Sequence, residues 1–156
     1  MISIQNAKFG KGLFATVDIL KNTIVAKAAG KPLTFSETVE LHDKESHTLQ
    51  VGPDQYILCE SPFLYSNHSC DPNCGLTPEL ELKTLRNIKK GEELLWDYST
   101  SMLERHWTMN CRCESPNCRR LITDFDLLPE NLQEYYIRLN IVLPFILEKI
   151  KEPALR

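Results

Sequence analysis

Cysteine placement constrains this chain more than any other feature. Cys111, Cys113 and Cys118 fall in a C-x-C-x4-C cluster, and Cys70 stands about forty positions earlier, in Asn67-His68-Ser69-Cys70-Asp71-Pro72-Asn73. A closed structural zinc site takes four ligands in a tetrahedron, and thiolates suit it well. The cluster supplies three and leaves the site one short. Cys70 is the candidate for the fourth. A shared metal would pin the C-terminal segment against the mid-chain loop, so the tail would bound whatever chemistry the loop carries. Cys59 and Cys74 fall in strand-like runs and read as small buried hydrophobes.

The metal reading needs a reducing compartment. Residues 1–12 show neither a long apolar run nor a small-residue cleavage site, so no secretory signal is expected. Nothing approaches the apolar length of a membrane span. An intracellular chain, cytoplasmic or nuclear, is the expectation, and there thiols bind metal more readily than they pair. The 156 residues suffice for one domain with a genuine core. A net charge of −3 and the lack of a basic stripe speak against direct nucleic-acid binding and suit a basic peptide partner.

The first sixty residues read as short strands. Ile2 and Ile4 alternate with polar residues, and Gly12–Thr16 and Thr23–Ala28 are rich in β-branched and apolar side chains. Lys21-Asn22 reads as a turn between them. Thr48–Val51 and Gln55–Cys59 flank Gly52-Pro53-Asp54 as a hairpin. Residues 37–45 stay open as a loop or short helix. Glu79–Leu85 and Glu93–Trp96 are further strands, with a turn at Lys90-Gly91. Many short strands with few helices disfavour a doubly wound sheet. The end differs: Leu132, Tyr136, Leu139, Leu143, Ile146 and Ile150 follow helical spacing, with Pro144 splitting the run into two helices; a cap packed on the sheets is the favoured reading, and a partner-binding or dimerising helix the alternative.

Gly10-Lys11-Gly12-Leu13-Phe14-Ala15 matches a dinucleotide-binding fingerprint in letters only. That fingerprint needs a helix after it, and here another strand-like run follows. A tight turn between strands is the better reading. Asn67-His68-Ser69-Cys70 is an irregular loop in which Cys and His lie too close in sequence to present a separated base. Glu93-Leu94-Leu95-Trp96-Asp97-Tyr98 ends a strand with aromatics around an acid.

Taken together and in order, these four motifs resemble SET-domain protein lysine methyltransferases with a post-SET zinc motif. The likeness covers residues 1 to about 122. It implies a mainly β fold of several small curved sheets, with the loop around Asn67-His68 threaded through another stretch as a pseudoknot. It implies a SET domain at 1–108, a post-SET zinc motif at 109–122 and a C-terminal helical extension at 123–156. The activity implied is transfer of a methyl group from S-adenosylmethionine to a lysine of a protein, histone or non-histone. Lys11, Gly12, Leu13, Tyr65, Asn67, His68 and Leu121 would contact the cofactor. Tyr98 would be the active-site tyrosine, and Trp96, Tyr65 and Trp107 would line the lysine channel. Cys70, Cys111, Cys113 and Cys118 would hold zinc.

The chain departs from the family's pattern at three positions. Trp96 stands where Phe or Tyr is usual, Leu64 where Arg is frequent, and Arg120 where Gly often follows the last cysteine and arginine. These keep open a rival of another class, a non-catalytic zinc module that binds a peptide or partner protein. A zinc-based nucleic-acid binder is a further rival, which the missing basic stripe disfavours.

Overall fold

The computed structural model describes residues 1–151; the last five positions of the expected helical extension lie outside the described residues. It opens with a hairpin of β1 (Ile2–Asn6) and β2 (Lys11–Ala15), antiparallel, with Ile4 opposite Leu13. The Ala7 N–H donates to the Gly10 carbonyl at 2.9 Å, and Gly10 takes φ +75°, a region that costs glycine little. Only Gly10 of the glycine motif belongs to this turn between strands; the rest of the motif, Lys11–Ala15, is β2 itself, and no helix directly follows it.

The chain continues through β3 (Ile24–Lys27), β4 (Gly30–Leu33), β5 (Thr48–Gly52), β6 (Gln55–Cys59), β7 (Asn67–His68), β8 (Cys74–Leu76), β9 (Glu81–Thr84), β10 (Leu95–Trp96), β11 (Met109–Asn110) and β12 (Leu121–Ile122). The described strands form five small sheets: β1-β2, β3-β9-β8, β4-β6-β5, β7-β10 and β11-β12. The β7–β10 pair is parallel; the others run antiparallel. Asn22 at φ +66° and Gly91 at φ +89° make the two turns read at those positions.

Helices make the architecture mixed α/β rather than mainly β. The polar stretch left open becomes α1 (Phe35–Val39) followed by a 3-10 turn at His42–His47. Thr34 caps α1 in a capping box with Glu37: the Thr34 N–H donates to Glu37 Oε2 at 2.7 Å, and the Glu37 N–H returns to Thr34 Oγ1. At the far end, α2 (Glu130–Arg138) and α3 (Pro144–Lys151) are separated by Asn140 at φ +54°. Pro144 opens α3, where its missing N–H costs nothing.

The helical stripe faces inward. Tyr136, Leu143 and Ile146 are buried, and Leu132, Leu139 and Ile150 pack half-buried against the same core as Leu13, Leu76, Leu82 and Leu94. Ile141 lies so close to β8 that a Cβ on Gly75 would meet its Cγ2 at 2.4 Å. No helix among the described residues is long and apolar enough to cross a membrane.

Candidate active site and metal centre

The parallel pair β7–β10 brings Asn67-His68 beside Leu95-Trp96, so two motifs far apart in sequence share one short ladder. The Ser69 N–H extends it to the Trp96 carbonyl at 3.0 Å. Asn67 then ties in the first hairpin. Its amide nitrogen donates to the Lys11 carbonyl at 2.9 Å and to Glu93 Oε1 at 2.8 Å. Asn73 completes the frame by donating to the Glu93 carbonyl and accepting the Leu95 N–H, both at 2.8 Å.

His68 is almost wholly enclosed. Its Nδ1 accepts the Tyr98 N–H at 3.2 Å, which places the ring proton on Nε2, 3.3 Å from Cys70 Sγ. Burial pushes its pKa down to about 4, aided by Arg119 and opposed by the Asp97 carboxylate. A neutral imidazole thus links the tyrosine backbone to a cysteine sulfur. The Tyr98 ring packs on His68, Trp96 and Trp107, and its hydroxyl donates to the Ser66 carbonyl at 2.9 Å. Burial raises its pKa above the ordinary phenol value, with Cys59 and Glu93 adding to the shift, so the phenol stays neutral at physiological pH. In that form it can donate and accept hydrogen bonds.

Tyr98 lines two hollows. One is a cleft of about 380 Å³ bounded by Ala7, Lys8 and Phe9, by Asn67, His68 and Glu93, and by Met109 through Cys113. The other is a narrower cavity of about 70 Å³, whose apolar wall includes Leu49, Phe63, Trp96, Met102 and Trp107. Asn67, His68 and Tyr98 border the cleft; Trp96, Tyr98 and Trp107 border the cavity. The other sequence candidates are placed differently. Leu13 is fully buried in the core. Gly12 abuts Glu93, Tyr65 stacks near the Lys11 ammonium, and Leu121 is half-exposed on β12; none of these lines either hollow. The cleft is walled on that side by Ala7, Lys8 and Phe9, just upstream of the glycine motif.

Cys70, Cys111, Cys113 and Cys118 converge, with all four sulfurs within 4.8 Å of one another. A zinc ion with four thiolates at about 2.3 Å separates its sulfurs by about 3.8 Å. The Cys70 and Cys111 sulfurs stand 3.9 Å apart, so the donor set fits that ion. Burial opposes ionisation of Cys113, but hydrogen bonds led by Ser115 outweigh it and hold this thiol below its ordinary pKa. Cys59 and Cys74 stay apart from the cluster and are buried, as read. Arg120 takes φ +68°, the left-handed region, with its side chain exposed. That conformation gives a physical reason for glycine at this point.

One group of residues escaped the sequence reading. The Asp97 carboxylate receives both arms of Arg119, each at 2.7 Å, and the Tyr136 hydroxyl at 2.9 Å. The motif had flagged Asp97 only as an acid among aromatics. Arg119 was hidden beside Cys118, and Tyr136 by its place on the helical stripe.

The chain's sequence is similar to that of known proteins. A family model described as SET domain matches residues 10–99. The chain is 30% identical over 129 residues to the histone-lysine N-methyltransferase trr of Drosophila melanogaster, covering 71% of this chain and 5% of that protein. It is 30% identical over 135 residues to the histone-lysine N-methyltransferase ash1 of the same organism, covering 76% and 6%. It is 29% identical over 127 residues to histone-lysine N-methyltransferase 2D of Homo sapiens, covering 71% and 2%. The chain thus spans a small part of the length of these relatives.

Proposed function

The chain belongs to the SET-domain family, and we propose that it transfers a methyl group from S-adenosylmethionine to a lysine side chain of a protein substrate. The observation that carries this reading is Tyr98, which borders both the open cleft and the narrow cavity. A donor and an acceptor entering from opposite sides would meet there.

The cleft's chemistry suits the donor. Phe9, Leu95 and Met109 offer apolar surface to a base, while Asn67 Oδ1, Glu93 and Asn110 offer hydrogen bonds and Arg112 offers positive charge to a carboxylate; Lys8 is already paired with Glu114. S-adenosylmethionine, when bound, supplies an electrophilic methyl on a sulfonium. Asn67 and His68 are the residues we assign to hold it, with the Lys11 carbonyl fixing the Asn67 amide. Lys11, Gly12, Leu13, Tyr65 and Leu121 would contribute through backbone or by supporting these two.

The cavity suits the acceptor. A lysine must lose its proton to attack, and holding it neutral at pH 7 costs about 4–5 kcal/mol from a reference pKa of 10.4. The apolar part of the wall (Leu49, Phe63, Trp96 and Trp107) lowers that cost by disfavouring the cation, while Glu45 and Glu104 on the same lining would draw the charged lysine in. Trp96 is held rigid by its Nε1–H, which donates to Ser66 Oγ at 3.0 Å. Tyr98 orients the amine by hydrogen bonding, and alignment rather than base catalysis provides the rate. The released proton passes to water.

Zinc on the four cysteines would fasten residues 109–122 over the cleft as a post-SET motif. The expected threading of the Asn67-His68 loop belongs to the same reading and is supported by the pairing of β7 with the distant β10. The substrate is a protein with an accessible lysine, and the names of the relatives make a histone the first choice to try.

Incubation with labelled S-adenosylmethionine and a panel of basic proteins, histones included, tests the proposal. Label is expected on a lysine of at least one substrate. No transfer to any of them, together with no donor binding by calorimetry, overturns it.

A further inference from the structure

The methyl-transfer reading leaves α2 without a task. This helix lies beyond the stretch matched by the family model. Yet Tyr136, in its middle, is 1% exposed and sends its hydroxyl to Asp97 Oδ2, the neighbour of Tyr98. We infer that Tyr136 is a positioning residue that holds Tyr98 in place through the Asp97 carboxylate; the inference rests on the methyl-transfer reading.

Asp97 is the N-cap of the 3-10 turn Tyr98–Ser101, and its Oδ1 accepts the Ser99 N–H at 3.1 Å. The turn that carries Tyr98 therefore depends on how this carboxylate is rotated. Arg119 supplies one donor to each oxygen. Tyr136 supplies the second strong donor to Oδ2. A carboxylate torsion is soft by itself, with broad minima. Donors arriving from the turn, from the cysteine loop and from α2 leave it one orientation.

The C-terminal segment braces the same turn elsewhere. The Leu143 N–H donates to the Thr100 carbonyl at 3.2 Å, the Phe125 N–H to the Met102 carbonyl at 2.9 Å, and the Ser99 hydroxyl to the Thr123 carbonyl at 2.6 Å. The first two join backbone to backbone, and the third ties the Ser99 side chain to backbone. Tyr136 alone among the helix side chains in these bonds reaches the capping carboxylate. Reaction rates fall steeply when reacting groups drift from near-attack geometry, so slack in this turn should register in turnover.

Tyr136→Phe keeps the buried ring and removes only the hydroxyl. In the full chain it should lower kcat about tenfold. The donor KM should change by less than about twofold, because Asn67 and His68 are untouched. Zinc content should stay at the wild-type level. Amide hydrogen exchange at Ser99 and Met102 should quicken, with β3, β8 and β9 unchanged. Tyr135→Phe, on the exposed face of the same helix, is the control and should leave kcat unaltered. Arg119→Lys keeps the charge and loses the fork, and its effect on kcat should be non-additive with Tyr136→Phe, since both act on one carboxylate. A Tyr136→Phe protein that melts earlier but turns over as fast as wild type overturns the inference, as does strict additivity with Arg119→Lys. A wild-type protein that neither binds donor nor transfers methyl overturns the methyl-transfer reading instead.

Discussion

Residues 109–122 and residues 123–151 both return to the sheets, and they do so by different forces. The first stretch buries only Cys111 and Ile122 deeply. The second buries Phe125, Leu128, Tyr136, Ile141, Val142, Leu143, Phe145 and Ile146. Burying one such side chain contributes about 1.5–3 kcal/mol, so the helical stretch is held by its own apolar surface. The cysteine loop has no comparable surface and must rely on four sulfurs and on the Arg119–Asp97 pair. The difference teaches that the helices carry their own apolar anchor, whereas the cysteine loop, and the cleft wall it forms, is the stretch that a metal on the proposed four-sulfur site would stabilise most.

Removing the metal breaks the contrast most sharply. Cys113→Ser should lose zinc, donor binding and turnover together, because binding energy in such sites is folding energy. Residues 109–122 should become sensitive to limited proteolysis while 123–151 stay resistant. Elemental analysis with mapping of the cleavage sites checks this, and retained zinc in the mutant would refute the assignment.

Arg119→Ala should come next. It strands the Asp97 carboxylate, which is fully buried. Breaking such a pair costs about 3–5 kcal/mol. Urea unfolding should show that loss, and the metal should become easier to chelate because the Arg119 N–H near Cys70 Sγ is no longer anchored.

Ile146→Ala probes the other stretch. It should cost about 2–5 kcal/mol through lost burial and a cavity. Zinc content and donor affinity, measured well below the unfolding transition, should match wild type. A loss of zinc here would mean that the two stretches are not held independently.

The smallest effect concerns Arg120. Its left-handed backbone costs an L-residue about 1–2 kcal/mol, part of which glycine recovers and part of which it returns as chain entropy. Arg120→Gly should shift stability by less than about 1 kcal/mol, upward if at all. Denaturant midpoints check the sign.

Local chemistry was the legible part of this fold. Asn22, Gly91 and Pro53-Asp54 announce turns because the backbone there needs special residues, and Pro144 announces a helix boundary. β4 was invisible because Gly30-Lys31-Pro32-Leu33 lacks alternation; proline is tolerated there because β4 is an edge strand. β10 is shorter than Glu93–Trp96 because the Asn73 side chain takes over the pairing around Glu93. At the site, the cysteines, Asn67, His68 and Tyr98 could be picked out because each sits in a recognisable word. The Phe9 side of the cleft could not, since the glycine motif drew attention to residues just past it. Nor could Tyr136 and Asp97, whose contact spans 39 positions and leaves no spacing signal.

The central claim is that Tyr98 stands where donor cleft and acceptor cavity meet and orients the attacking amine without holding the donor. Tyr98→Phe, assayed for turnover and for S-adenosylmethionine affinity by calorimetry, tests it most directly. A large fall in kcat with donor affinity nearly intact is expected. Equal losses in both, or full turnover, would contradict it.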